Sequence, residues 1–354
     1  MKSDSIDRRD FLVGTAAGAS ALAWAQTSEA QSRGPAAAAT FAATRPAGFT
    51  PMTAPGRVVR VAKPGSLRRG GLYPQPEAAA QMVERALKEL TGESTLAGAW
   101  RKFVHPSDIV GVKVNGLGLR NMASNKEVVY AIVQGVIAAG VPAANIVVYD
   151  QFQGFLNATR VQRSELPTGV RTAYHANTEV GAETRAHNQR TAYARVLLGC
   201  TAIIGVPLVK DHSLSGFTGA LKNMTHGSIK NPEDFHRNRD GLNSRNRHIP
   251  ELYAHDAIKS RMRLHVMDAF KVLYDRGPQD NPAARVPYER VMVSTDPVAL
   301  DVIGTEIVDQ FRTQNHMRTL ERSGRGVRYL EHAATLGLGV ADRARIQLVD
   351  VAMT

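Results

Sequence analysis

Three consecutive stretches decide the fold: Asp108-Ile109-Val110-Gly111-Val112-Lys113-Val114, then residues 126–139, then Ile146-Val147-Val148-Tyr149-Asp150. The first and third are short β-branched runs, the composition of strands buried on both faces. Between them Val129, Ile132, Val133, Val136 and Ile137 recur at spacings of three and four, which predicts a helix with one apolar face. Gly140 follows at the place where a left-handed residue ends such a helix. A strand, a helix and a strand of these lengths make a βαβ unit, and the two strands of such a unit run parallel.

The same alternation continues in both directions. Arg57-Val58-Val59-Arg60-Val61 reads as a strand, and Pro76 opens a helix carrying Val83, Ala86, Leu87 and Leu90 on one face. Ala202-Ile203-Ile204-Gly205-Val206, Leu264-His265-Val266-Met267-Asp268, Arg290-Val291-Met292-Val293-Ser294 and Ile346-Gln347-Leu348-Val349 read as further strands. A helix from Pro297 places Leu300, Ile303, Ile307 and Phe311 on one face. The fold class expected is therefore α/β, a largely parallel or mixed sheet built from βαβ units, with a cleft at the C-terminal ends of the strands. The domain is expected over residues 57–350, with two lobes dividing near residue 205 as one arrangement of it. Asp150, the stretch from Lys210 to His212, Asp268 and Asp296 fall at or just past strand ends, which places chemical groups on one rim.

The 354 residues allow about two domains or one large α/β unit. Hydrophobic residues at 43% and charged residues at 21% are globular proportions, against a wholly disordered chain. No apolar run reaches the ~20 residues of a membrane-spanning helix, so no span is expected in the mature protein. The single cysteine, Cys200, excludes an internal disulfide and a cysteine-ligated iron–sulfur cluster. Net charge is +12, from 44 Lys+Arg against 32 Asp+Glu, and favours anionic partners. The arginines are spread along the chain and aromatics are only 6%, so base stacking is poorly provided for and nucleic acid is an unlikely partner.

At the N-terminus, Asp7-Arg8-Arg9-Asp10-Phe11-Leu12 sets two adjacent arginines before a modest apolar stretch, and Ala23-Trp24-Ala25 has the small-x-small form of a cleavage site. Residues 1–25 resemble a twin-arginine export signal, which implies the twin-arginine machinery as a partner and a periplasmic or otherwise exported location. Residues 26–56, rich in Ala, Thr, Pro and Gly, are expected to form a flexible linker.

The chemistry concentrates in Pro207-Leu208-Val209-Lys210-Asp211-His212-Ser213-Leu214-Ser215-Gly216-Phe217-Thr218-Gly219-Ala220-Leu221-Lys222-Asn223-Met224-Thr225-His226-Gly227. The segment reads as a strand, a turn through two glycines, and a helix. If Thr218 starts that helix, its free N–H groups favour an anion. Lys222 and His226, four apart, share a helical face. The bland alternative is a polar loop capped by Thr218, with both lysines solvated.

This segment, with Val112-Lys113-Val114-Asn115, Gly140, Tyr149-Asp150, Asp268, Asp296-Pro297-Val298-Ala299-Leu300-Asp301 and Leu336-Gly337-Leu338-Gly339, resembles the Domain of Unknown Function 362 family over most of residues 57–345. Some relatives carry a ferredoxin-like module with cysteine-bound clusters, for which this chain lacks the cysteines. A more distant resemblance is to nickel-pincer lactate racemases, which carry a His, Gly-Phe-Ser-Gly four to seven residues on, and a Lys ten after the His. His212, Gly216, Phe217, Thr218, Gly219 and Lys222 stand at those spacings. That resemblance implies His212 as proton carrier and Lys222 as the tether of a nickel-bearing cofactor. The chain departs from it in three places. His226-Gly227 replaces Pro-Gly, His236 falls two residues short of the downstream metal ligand, and the second acid/base His that should follow the strand ending at Asp150 is not found.

The candidate site is thus His212, Lys222 and Lys210 as catalytic groups, with Lys113, Asn115, Asn223, Arg237 and Arg239 binding substrate. Arginines suit carboxylates through two-point hydrogen bonding, although the basic stretch holding Arg237 and Arg239 reads equally as a solvated loop. His226 and His236, with Asp211 or Asp234, are the candidate metal ligands, since imidazole and carboxylate suit nickel, zinc or iron. The cofactor expectation is such a divalent metal or a Lys-tethered group. Asp296-Pro297 reads first as a helix cap, with Asp301 one turn on either facing the rim or solvated. Lys113 either contacts a ligand or snorkels from a sheet face. The expected function is an exported enzyme acting on a small or sugar-like acid, an anionic substrate, by proton transfer or a metal-assisted step. A non-catalytic periplasmic binding protein for an anion, metal or cofactor is the alternative.

Overall fold

The computed structural model describes residues 41–186, 189–236 and 247–354. Its strands are β1 (Arg57–Ala62), β2 (Val110–Lys113), β3 (Ile146–Asp150), β4 (Arg171–Tyr174), β5 (Val180–Ala186), β6 (Gln189–Ala194), β7 (Ala202–Gly205), β8 (Leu208–His212), β9 (Gly216–Thr218), β10 (Met262–Leu273), β11 (Arg285–Ser294) and β12 (Gln347–Ala352). Its helices are α1 (Pro76–Thr91), α2 (Leu96–Arg101), α3 (Lys126–Ala138), α4 (Gln153–Ala158), α5 (Arg195–Leu198), α6 (Ala220–Thr225), α7 (His248–Ala254), α8 (Asp256–Lys259), α9 (Pro297–Gln314) and α10 (Tyr329–Thr335). The export signal, residues 26–40 of the linker, and Arg237 and Arg239 lie outside the described residues.

One sheet carries the order β12-β1-β11-β10-β7-β2-β3-β4, with β8 against β10 and β9 against β8; β5 and β6 form a separate hairpin. The pairs β10/β7, β7/β2, β2/β3, β3/β4 and β1/β12 are parallel, as βαβ connections require. Within this sheet, among the described residues, only β11, against β1 and β10, and the β8/β9 hairpin are antiparallel. The fold is therefore the mixed, mostly parallel α/β sheet that the alternation predicts. Strands on both sides of residue 205 pair directly, through β7 and β10.

The central strands β2, β3 and β7 are buried on both faces, which explains why they are continuous apolar runs. Ile146 and Val148 pack into one core with Val83, Leu87, Ile132 and Val136 of α1 and α3. Their neighbours Val147 and Tyr149 face a second core with Leu221, Met224 and Leu252. This is the two-residue alternation of a strand, with both sets of side chains buried. α3 ends where expected, at Gly140 with φ 107°. Among the described residues no helix is long and apolar enough to cross a membrane.

The structure corrects the reading of the segment after β7. The chain does not turn straight into a helix. Leu208 and Val209 extend it into β8, parallel to β10, and β9 returns antiparallel before α6 begins. Lys210 and His212 are accordingly strand residues on one face of β8, and Asp211 points to the other. Thr218 is not the start of the helix. It pairs with Lys210 across the hairpin, so the two side chains share a face.

Candidate functional site

The C-terminal ends of neighbouring parallel strands supply the first groups. Lys113 closes β2 and Asp150 closes β3, and the Lys113 ammonium lies 2.8 Å from Asp150 Oδ1 with both side chains almost wholly buried. Lys113 is thus a buried ion partner, not a snorkelling surface lysine. Asp150 also accepts from the backbone N–H groups of Gly116 and Gln151, each at 2.8 Å, which fixes the turn leaving β2. Asn115 and Asn223 bridge inward from this pair. Lys113 Nζ donates to Asn223 Oδ1 at 3.3 Å, Asn115 Nδ2 donates to the same oxygen at 3.1 Å, and Lys210 Nζ donates to Asn115 Oδ1 at 3.0 Å.

Lys210 and Lys222 are both buried, which overturns the solvated-loop alternative. Burial pushes the Lys210 amine down to about 7, with Asp150 opposing and Lys113 adding to the fall. Burial, then the charge of Lys210, takes Lys222 down to about 7 as well. Lys222 Nζ lies 2.8 Å from His236 Nε2. The imidazoles gather around that contact: His236 stacks on His212 with centroids 5.5 Å apart and sits 4.5 Å from His226, which is 5.6 Å from His248. Burial, then neighbouring positive charge led by Lys222, holds His212 and His226 well below the ordinary imidazole range. His236 falls to about 2, from burial, Lys222 and His248 in that order. All three are neutral bases at physiological pH. The site therefore offers neutral imidazoles beside amines poised to carry or release a proton near neutrality.

Buried polar atoms in this region that make no hydrogen bond include His226 Nε2, Thr218 Oγ1, Ser228 Oγ and Tyr149 OH. Buried polar atoms are nearly always paired, so the first two, beside Lys222 and Lys210, are positions a ligand atom could satisfy.

The loop geometry explains the glycines. Gly216 has φ 78°, and a Cβ there would meet the Arg325 carbonyl oxygen at 2.1 Å. A Cβ on Gly219 would meet Asp301 Oδ1 at 2.0 Å. That carboxylate accepts from Ala220 N at 2.5 Å and Leu221 N at 3.0 Å, so the free helix N–H groups expected to attract an anion are already occupied. Asp301 is neither at the rim nor solvated; it anchors α6, and burial raises its carboxyl to about 7. Asp296 caps α9 as expected, accepting from Val298 and Ala299, and also ties down Gly56 and Val340. Asp268 lies within β10 and holds Asn125.

His226 and His236 are brought together, but the carboxylates suggested beside them are engaged elsewhere. Asp211, on the opposite face of β8, pairs with Arg325 at 2.7 Å and accepts from Gly277 N. Asp234 accepts from Asn231 Nδ2. Among the described residues no three His, Cys, Asp or Glu side chains form a metal-binding group. His226 and His236 by themselves supply two of the three or four protein donors that zinc takes.

Sequence reasoning passed over His175, which follows β4. It is buried, and its Nε2 lies 3.2 Å from the Gly227 carbonyl oxygen; a Cβ on Gly227 would meet Lys113 Nζ at 2.6 Å. Its place one residue past a strand end was the only available signal, and β4 was not recognised as a strand. Cys200 is buried behind the sheet with its thiol pushed up to about 12, too high for a nucleophile.

A mostly parallel sheet with amines, imidazoles and one carboxylate gathered beyond its strand ends defines the class: an α/β protein with a buried cationic site. The chain belongs to the family described as Domain of unknown function (DUF362), whose model matches residues 110–306, from β2 into α9. A crystal structure of a protein from Thermotoga maritima is similar at 11% identity and a TM-score of 0.43, over 71% of this chain and 61% of that one. This chain thus spans about three fifths of that protein's length. No curated protein matches the sequence.

Proposed function

We propose that the chain is an enzyme that moves a proton on a small or sugar-like carboxylic acid. The observation that carries this reading is the assembly of buried Lys113, Lys210, Lys222, His212 and His226 with half-buried His236, in which the carboxylate of Asp150 is paired with Lys113. Buried ammonium groups without counter-ions are costly, so the assembly favours an anionic ligand. Lys222 and Lys210 would hold the substrate anion, with Asn223 orienting it. His212, neutral and stacked on His236, would take the proton from the carbon beside the substrate carboxylate, the electron pair passing into that carboxylate, and return it.

The test is hydrogen exchange in D2O, followed by NMR, on 2-hydroxy acids and uronic acids. Protein from its own host is used, so that any group carried on Lys222 travels with it. Wash-out of the hydrogen beside the carboxylate is expected for at least one acid. Saturable binding without exchange of any kind would make the chain a capture protein instead.

Export by the twin-arginine route is part of this proposal and rests on Arg8-Arg9 and the apolar stretch after them. Changing both arginines to lysine is expected to leave the protein in the cytoplasmic fraction. Unchanged fractionation of that variant would remove the assignment.

A further inference from the structure

Lys113 has a carboxylate partner, and among the described residues Lys210 and Lys222 do not. Lys222 faces His236, and the charge of Lys210 acts against it. Lys210 has Asn115 Oδ1 as its hydrogen-bond acceptor, an uncharged amide oxygen. The nearest acidic group acting on it is Asp150, already engaged by Lys113 and by two backbone N–H groups. Both lysines act on His212, so they stand as two separate cationic points around the proposed proton carrier. Each point has an unsatisfied neighbour. Thr218 Oγ1, on the face of the hairpin that carries Lys210, makes no hydrogen bond; nor does His226 Nε2, one helical turn from Lys222. Asp211 and Arg325 neutralise one another on the opposite face of β8 and contribute no counter-ion here.

Two buried amines with no carboxylate hydrogen-bonded to them among the described residues, each beside an unpaired polar atom, are poorly matched by one carboxylate. We infer that the ligand of this site is a dianion, its reacting carboxylate at Lys222 and a second anionic group at Lys210, Thr218 and Asn115. The inference rests on the proposal above that the site binds an acid. The ammonium groups are compact point charges and would accept a second carboxylate or a phosphate alike.

The experiment is calorimetric titration of the full chain near neutral pH with matched anions. Tartronate and malate carry two carboxylates, glycolate and lactate carry one, and inorganic phosphate supplies the other dianion. Dianions are expected to bind at least tenfold more tightly than their one-carboxylate counterparts. The phosphate arm tells which second group is preferred. Lys210→Met is expected to bring the two classes to within about twofold of each other, and Thr218→Val to narrow the gap without removing a charge, which keeps the test open if Lys210→Met does not fold. Equal binding of both classes to the unaltered chain would overturn the inference and leave the acid-enzyme proposal standing. Failure of every anion to bind would overturn both. A dianion preference that survives both substitutions would overturn the placement of the second group.

Discussion

Asp150→Ala is expected to destabilise the fold by about 3–5 kcal/mol, the usual cost of leaving one member of a buried ion pair alone. Lys113 and Asp150 are almost wholly buried and 2.8 Å apart, so removing the carboxylate strands an ammonium group at the end of β2. The same change takes the acceptor from Gly116 and Gln151, which fix the turn after the strand. Thermal or denaturant unfolding reads the effect directly. Adding Lys113→Met to Asp150→Ala should recover a substantial part of the loss, because the stranded charge goes with it. If the double variant were no more stable than Asp150→Ala alone, the cost would lie in the two backbone hydrogen bonds and not in the ion pair.

The second large effect is on turnover. For an acid that the exchange experiment identifies, His212→Asn should lower kcat by about 10²–10⁴-fold, the range of a positioned general base, while substrate binding changes little. The expected pH profile follows from the groups around it. Burial and neighbouring cations hold the His212 imidazole well below its ordinary range, so its base form persists as pH falls through 6.5 and the acid limb is displaced downward. The lysines behave oppositely: an amine is cationic below its pKa and loses its hold on an anion above it. With Lys210 and Lys222 at about 7 in the free protein, kcat/KM should fall as pH rises through that value. A bound anion stabilises both ammonium forms, so kcat should persist to higher pH than kcat/KM. An acid limb near 6.5, or His212→Asn with unimpaired kcat, would remove His212 from the proton-transfer role.

Most of the architecture was legible in the sequence because its signals are local. A buried parallel strand is a short β-branched run, and a covering helix shows its apolar stripe at three- and four-residue spacing. Both survive being read one segment at a time. The stretch from Val110 to Asp150 therefore yields its βαβ unit, and Asp296-Pro297 its helix start, without reference to the rest of the chain. Lys210, His212, Lys222 and Asn223 stood out for a related reason: charged and amide side chains seldom fill an apolar strand–turn–helix segment unless something there needs them.

The sequence by itself determined the α/β class, the family resemblance and the residue types of the cationic segment. The tertiary structure decided which side of β8 those residues face, through a hairpin whose partner strand β10 lies more than fifty residues further along the chain. It sent Asp301 to the start of α6, where two backbone N–H groups needed an acceptor. It also gave Asp150 to Lys113 and Asp211 to Arg325, while Lys210 and Lys222 received no carboxylate among the described residues. Pairing of that kind is a matter of distance and burial across elements far apart in sequence. Whether a lysine is a solvated surface charge or a buried amine near neutrality depends on what the folded chain places around it.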